Sequence, residues 1–270
     1  MPDQGRCAAT HSARRIDPAG LVGAWVNTES SPRGLARVVI ERRPDALGIQ
    51  ALGADIETHE GWGWIDAEAL YAASASGDEA VAFTAASKAN SVPVALHANV
   101  SKGLLIVSSF QTRIDSASPD ARFAREFFRR DSSGRLGPIR SPAKPSADQP
   151  VPRSSLVPTF VGLWRNTNSN GSAIVSVSFA ANEDGSTMHI MGRDDSCPAD
   201  WGTTAVEVYT EVGAASEPAR IKACYDLGSM DVLLHGWVKQ GVLVLALFRR
   251  YKDESGRSNY FDREFFYRTD

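Results

Sequence analysis

The chain is written twice. Residues 91–130 lie on residues 229–268 without a gap at a shift of 138, and 15 of those 40 pairs are identical, where unrelated segments would share about 2 or 3. Leu96-His97 meets Leu234-His235, Gly103 meets Gly241, Phe110 meets Phe248, and FAREFFRR meets FDREFFYR. Upstream the shift becomes 139: GAWVNT at 23–28 meets GLWRNT at 162–167, Gly53-x-Asp55 meets Gly192-x-Asp194, and Trp62-Gly63 meets Trp201-Gly202. One residue of difference before the Tyr71/Tyr209 pair reconciles the shifts, a change that a hairpin loop or bulge absorbs. Such a chain has to fold as two copies of one unit, each long enough to close a core of its own.

The spacing between the copies supports the same division. Residues 138–158 contain six prolines and few large apolar residues, a composition that cannot bury enough surface to order itself. The expected organisation is a tail at 1–20, a module at 21–130, a Pro/Ser-rich linker at 131–158 and a second module at 159–270.

Within the second copy, SAIVSVSFAA, STMHIMG, TTAVEVYTE, ARIKACYD, MDVLLHGWV and VLVLALFRRY are short runs rich in β-branched and aromatic residues. Separators such as NEDGS, DDSCPADWG, GAASEP and KQG carry turn chemistry. With GLWRNT and SNYFDREFFYR at the ends, this spacing predicts eight strands. Their short connections demand antiparallel neighbours, and strands without helices avoid bare edges by closing. The expected fold is all-β: two tandem eight-stranded antiparallel up-and-down β-barrels, each interior filled by side chains or holding one small ligand.

A G-x-W near the start of such a barrel, with an arginine in its last strand, resembles the calycin group of lipocalins and avidins. The fuller pattern of G-x-W-x-N-T, D-W-G or G-W-G and R-E-F-F also resembles an uncharacterised bacterial barrel family. The calycin resemblance implies a first-strand tryptophan that plugs one barrel end beneath a late arginine: Trp25 with Arg125 or Arg130, and Trp164 with Arg263 or Arg268.

Composition removes several function classes. The net charge is −3, and residues 21–130 carry 11 basic against 13 acidic side chains, residues 160–268 carry 11 against 14. Neither copy has the basic surplus that nucleic-acid binding needs. No apolar stretch has the length of a spanning helix, so no membrane association is expected, and the first residues lack the apolar core of a secretory signal. Cys7, Cys197 and Cys224 show no C-x-x-C spacing, which fits neither a disulfide framework nor a zinc site. A cytoplasmic location without cofactor or metal is expected.

No catalytic motif stands out, so candidates come from equivalent positions in the two copies. His97 and His235 sit in matching strands, and Trp237 shares the His235 face, a mixture suited to a ligand cavity if that face lines the lumen. Asp55, Asp194, Trp62 and Trp201 could wall a barrel mouth or simply build turns. Tyr71 and Tyr209 could bond a ligand from the wall. Arg125-Glu126 and Arg263-Glu264 are adjacent in a strand, so one of each pair points inward; an inward glutamate would have a raised pKa.

These residues suggest binding of a small apolar or amphipathic molecule. A cyclase or isomerase of secondary metabolism acting in the lumen, or a protein-interaction module using the walls, are the alternatives. Asn99 and Ala95 stand where the second copy has Trp237 and Leu233, which makes the first module the roomier if that face is internal. VLVLALF runs through without alternation where the first copy reads LLIVSSF; the two barrels are expected to pack near that wall.

Overall fold

The computed structural model describes residues 15–32, 34–53, 63–89, 92–113, 120–132, 158–168, 172–182, 185–193, 199–211 and 219–269. Asp55, Trp62, Asp194, Cys7, Cys197 and nearly all of the proposed linker lie outside these residues.

The described chain is all-β apart from one short 3-10 turn at Pro18–Gly20. The first copy contributes β1 (Gly23–Asn27), β2 (Leu35–Arg42), β3 (Leu47–Gly53), β4 (Trp64–Ala72), β5 (Ala80–Ala89), β6 (Val92–Ser101), β7 (Leu104–Arg113) and β8 (Asp120–Arg130). The second contributes β9 (Gly162–Asn166), β10 (Ile174–Asn182), β11 (Gly185–Gly192), β12 (Asp200–Ala205), β13 (Glu207–Glu211), β14 (Ala219–Asp226), β15 (Met230–Lys239), β16 (Val242–Tyr251) and β17 (Tyr260–Thr269). The D-W-G segment, expected as a turn, is strand: Asp200, Trp201 and Gly202 open β12. The Asp200 carboxylate accepts the Gly202 amide at 2.7 Å, while Trp201 packs edge-on to Tyr225 within the second copy's core. Burial of the indole keeps the segment extended despite its turn-forming neighbours.

Within each copy consecutive strands pair antiparallel in a meander, except that β12 and β13, expected from TTAVEVYTE as one strand, are parted by Val206 and do not pair with each other. In addition β1 pairs with both β2 and β8, and β9 pairs with both β10 and β17. Two further ladders are parallel and cross between the copies: β8 to β13, with Thr210 beside Arg122, and β17 to β4, with Tyr260 beside Ala72. They close a ten-stranded barrel running β4–β8 and then β13–β17. Because β8 corresponds to β17 and β13 to β4, one approximate two-fold rotation exchanges the two crossings, the isologous relation of a symmetric dimer within one chain.

The alternation of side chains in a strand assigns each repeat two faces. One set forms the repeat's own apolar core: Trp25, Val38, Ile40, Ile49, Phe83, Leu96, Val107 and Phe128 in the first copy, Trp164, Val177, Ile190, Ile221, Leu234, Leu245 and Phe266 in the second. These interiors are lined by buried apolar side chains. A Cβ on Gly236 would stand 2.6 Å from Leu245 Cδ2 and 3.2 Å from Ile221, so this position admits no side chain without displacement. The other face of β4–β8 and β13–β17 lines the ten-stranded barrel. β16 is accordingly buried on both sides, with Leu243, Leu245 and Leu247 toward its own core and Val244, Ala246 and Phe248 toward the first copy.

The repeated hexapeptide has a structural reason at each fixed letter. Gly23 and Gly162 hold φ of +135° and +120°, values that side chains rarely adopt, and a Cβ on Gly23 would approach Arg130 Nη1 to 2.9 Å. Trp25 and Trp164 are almost completely buried, and each indole N–H donates to a carbonyl four residues earlier, Leu21 at 2.9 Å and Phe160 at 2.8 Å. Arg130 and Arg268 stand directly across the ladder from those tryptophans, with guanidinium carbons 4.5 and 5.9 Å from the indole centroids. Arg130 also donates to the carbonyls of Val22 and Gly20 at 2.7 and 2.6 Å, and Arg268 donates to that of Val161. Arg125 and Arg263 take no part; they point to the ten-stranded barrel.

Asn27 and Asn166 tie the first strand to the second, donating to Leu35 O at 2.7 Å and to Ile174 O at 2.9 Å. The threonine amides complete the motif on the last strand: Thr28 N to Phe127 O at 2.8 Å and Thr167 N to Phe265 O at 2.9 Å.

Candidate functional site

Three register rows from each copy face one another inside the ten-stranded barrel. In the first copy they are Asn99–Ile106–Phe127, Thr84–His97–Ser108–Arg125 and Ala95–Phe110–Phe123. In the second they are Trp237–Val244–Phe265, Lys222–His235–Ala246–Arg263 and Leu233–Phe248–Phe261. The face that carries both histidines is therefore turned away from each repeat's own core. Its parity follows from Leu96, Ala98, Leu234 and Gly236, which occupy the interior positions on either side of His97 and His235. Trp237 lies on this shared face, so it takes up no space inside the second repeat and does not make that interior the smaller one.

His97 and His235 meet across the approximate two-fold axis with ring centroids 5.6 Å apart. Aromatic contacts around them come in exchanged pairs: His97–Phe248 at 5.4 Å and His235–Phe110 at 5.5 Å, Tyr71–Phe248 at 5.2 Å and Tyr209–Phe110 at 4.9 Å. These separations and tilts suit ring quadrupoles. Tyr71 and Tyr209 thus pack the shared barrel; Tyr71 Oη lies 3.5 Å from Thr84 Oγ1, and Tyr209 donates to Glu207 while accepting from Lys222 at 3.2 Å.

Neither imidazole Nδ1 has a hydrogen-bond partner among the described residues. Burial pushes His97 down to about 3, assisted by the Lys222 charge. Burial also holds His235 well below the usual range, with His97, Arg125, Arg263 and Arg220 adding repulsion. Both rings are neutral at pH 7 and serve as aromatic packing.

On one side of the histidines the barrel is cationic. Arg125 lies over the Trp237 ring at 4.7 Å and Arg220 at 5.6 Å; Arg263 donates to Asn99 Oδ1 at 2.7 Å. Glu211 answers Arg220 at 3.1 Å. Burial, followed by repulsion from Arg263 and Arg220, draws Arg125 down to about 10, and burial lowers Arg220 and Arg263 as well. Buried Arg220 Nε, Arg263 Nε and Asn99 Nδ2 lack acceptors among the described residues. Phe127 and Phe265 reach solvent in the same rows as Asn99 and Trp237, exposed by 39% and 46%, which makes this end a mouth. Spacing could suggest the histidine pair; the arginine cluster was hidden, because Arg125 and Arg263 competed with Arg130 and Arg268 for one role and Arg220 has alanine as its counterpart.

The inward member of each R-E pair is the glutamate. Burial raises Glu126 to about 7 against the opposing Leu35 amide, which donates to its two oxygens at 2.9 and 3.0 Å; Asn27 adds a bond at 3.2 Å. Glu264 is raised in the same way, yet accepts from Ser172, from Asn166 at 2.6 Å and from the buried Arg249 at 3.0 Å. Both carboxyls clasp the second strand's entry and are committed to protein donors.

His189 pairs with Asp200 at 2.8 Å on the surface. An open cleft of about 1280 Å³ lies on the first repeat beside Arg42–Leu47 and Ala67–Leu70, where Asp17 already answers Arg42. Among the described residues no cluster of three or more His, Cys, Asp or Glu could hold a metal, and no helix is long and apolar enough to cross a membrane.

No family model, curated protein or solved structure matches the chain.

Proposed function

We propose that the protein binds a small molecule at the arginine-lined mouth of the ten-stranded barrel, on a scaffold of two tandem eight-stranded up-and-down barrels of calycin-like design. Pairing of β1 with β2 and β8, and of β9 with β10 and β17, supports the scaffold; so does a Trp–Arg floor in each repeat. The observation that carries the function is the set of buried donors on Arg220, Arg263 and Asn99, beside Trp237, that have no acceptor among the described residues. A buried polar group without a partner costs about 1–3 kcal/mol, and a bound molecule would supply the missing acceptors. The core clusters of the two repeat interiors are apolar, so this mouth, with its unmet donors, is a better place for a polar ligand than either lumen.

Native mass spectrometry of the whole chain, isolated from the cells that make it, tests the proposal. The expected result is an added small mass that is lost in Trp237→Ala. A bare mass, together with no change on titration with a metabolite extract, would overturn it.

A further inference from the structure

We infer that the ligand of this mouth is an organic anion, its carboxylate or phosphate held between Arg125 and Arg263, next to Trp237, and its planar apolar part set against Phe127 and Phe265. The inference rests on the binding role proposed above and names its chemistry.

Charge accounting gives the class. Arg125, Arg220 and Arg263 bring three positive charges together, and Glu211 on Arg220 is the single carboxylate ion-paired with them among the described residues. The neighbouring Lys222 is already engaged by Glu207 at 3.0 Å. Three mutually repelling guanidiniums without equal counter-charge among the described residues are costly to gather in a partly buried place, and an oxyanion removes that cost by accepting charge-assisted bonds. A cation is repelled here, and a neutral molecule leaves the imbalance standing.

The donors are also arranged for oxyanion recognition. Arg263 is fixed by its bond to Asn99 Oδ1, which leaves Arg263 Nε and Asn99 Nδ2 without acceptors. Asn99 is 6% exposed and Arg220 8%, so these groups do not look for partners in open water. Arg125, held over Trp237, has no carboxylate partner among the described residues and stays at the solvent edge. Beside it, Phe127 and Phe265 offer exposed rings for a planar ligand body, while Trp237 lies buried beneath Arg125 and stacked on His235, next to the anion's place.

The test uses the full chain and three probes: phenyl phosphate, benzoate and neutral benzamide. Binding is followed by calorimetry and by the Trp237 indole N–H resonance, assigned with Trp237→Phe. The two anions are expected to bind and move that resonance, inorganic phosphate to compete with phenyl phosphate, and Arg125→Gln or Arg263→Gln to weaken binding about tenfold or more. Competition in the unmutated protein keeps the test valid if a variant fails to fold. Equal binding of benzamide with the same resonance shift would overturn the anionic class while leaving the mouth as the site. Anion binding that leaves the Trp237 resonance and both arginine variants unaffected would overturn the placement. No binding by any probe would overturn the anionic class, while the binding role itself is decided by the native mass of the isolated chain.

Discussion

Replacing His97 by phenylalanine should make the protein more resistant to acid, by an amount that follows from the structure. His97 is 5% exposed and packs against Phe110, Phe248 and His235. Lys222, Arg125, Arg263 and Arg220 face the pair, with Glu207 and Glu211 committed to Lys222 and Arg220. Its folded pKa of about 3 lies below the ordinary 6.5. Above pH 6.5 neither the folded nor the unfolded chain holds that proton, and His97 gives stability no pH dependence. Below 6.5 the unfolded chain takes up a proton that the folded chain refuses, so stability falls with pH until about 3 is reached.

Each pH unit in that window costs about 1.4 kcal/mol, and the 1.5 units between 6.5 and 5 cost about 2 kcal/mol. Phenylalanine keeps a ring among the same neighbours and cannot titrate. It also removes an Nδ1 that has no partner among the described residues, a polar burial worth about 1–3 kcal/mol. Urea unfolding of wild type and His97→Phe at pH 7 and pH 5 measures the effect. The stability difference in favour of the variant should widen by about 2 kcal/mol at pH 5. Glu126, which titrates in the opposite sense, cancels in the comparison because both proteins contain it. A difference that does not change with pH would refute the reasoning, since it would mean that His97 is hydrated or protonated in the folded state.

Three other outcomes follow from the packing. Glu126, raised to about 7 from 4.5, contributes stability that is present below pH 4.5 and lost as pH rises through 7; Glu126→Gln should gain about 3 kcal/mol on wild type between pH 5 and pH 8.5, measured by the same unfolding curves. Gly236→Ala meets Leu245 at 2.6 Å and should cost about 1–3 kcal/mol, whereas Gly241→Ala, with nothing near its Cβ but a φ of +78°, should cost about 1 kcal/mol from backbone strain alone. Residues 159–270 expressed alone should expose Trp237, Val244, Phe248 and Phe261 and bind an apolar dye, and adding residues 15–132 should abolish the signal with one-to-one stoichiometry.

How much of this could be read from the sequence depended on whether a signal was local. Strand runs in the second copy were legible because β-branched residues and Gly, Asn or Asp turns mark both body and ends, and β14, β15 and β16 fall where that chemistry puts them. Face assignment was not legible. β15 reads MDVLLHGWVK, with apolar or aromatic residues at both parities, so periodicity could not say whether His235 faces its own core. The ten-stranded closure was hidden for a different reason. It depends on the pairing of Thr210 with Arg122 and of Tyr260 with Ala72, contacts between distant segments that no local pattern announces. A gapless repeat did announce two like surfaces, without saying that they face each other.

The divergence of the copies becomes intelligible once both surfaces line one barrel. Ala69, Ala82, Thr84, Ala95 and Asn99 in the first copy correspond to Glu207, Arg220, Lys222, Leu233 and Trp237 in the second, so at each of these positions the second copy carries the larger side chain. A symmetric pair of second copies would oppose arginine, lysine and tryptophan with themselves across the axis, uniting like charges and excess volume. A symmetric pair of first copies would leave the same space underfilled. The central positions behave differently: His97 and His235, Phe110 and Phe248, Phe123 and Phe261, and Arg125 and Arg263 preserve the ring cluster and the guanidinium pair on both sides of the axis. Conservation at the axis with size inversion around it is what one chain needs to favour the mixed pairing over either self-pairing. It also concentrates the unmatched positive charge at the mouth, where Arg220, present only in the second copy, joins the arginines common to both.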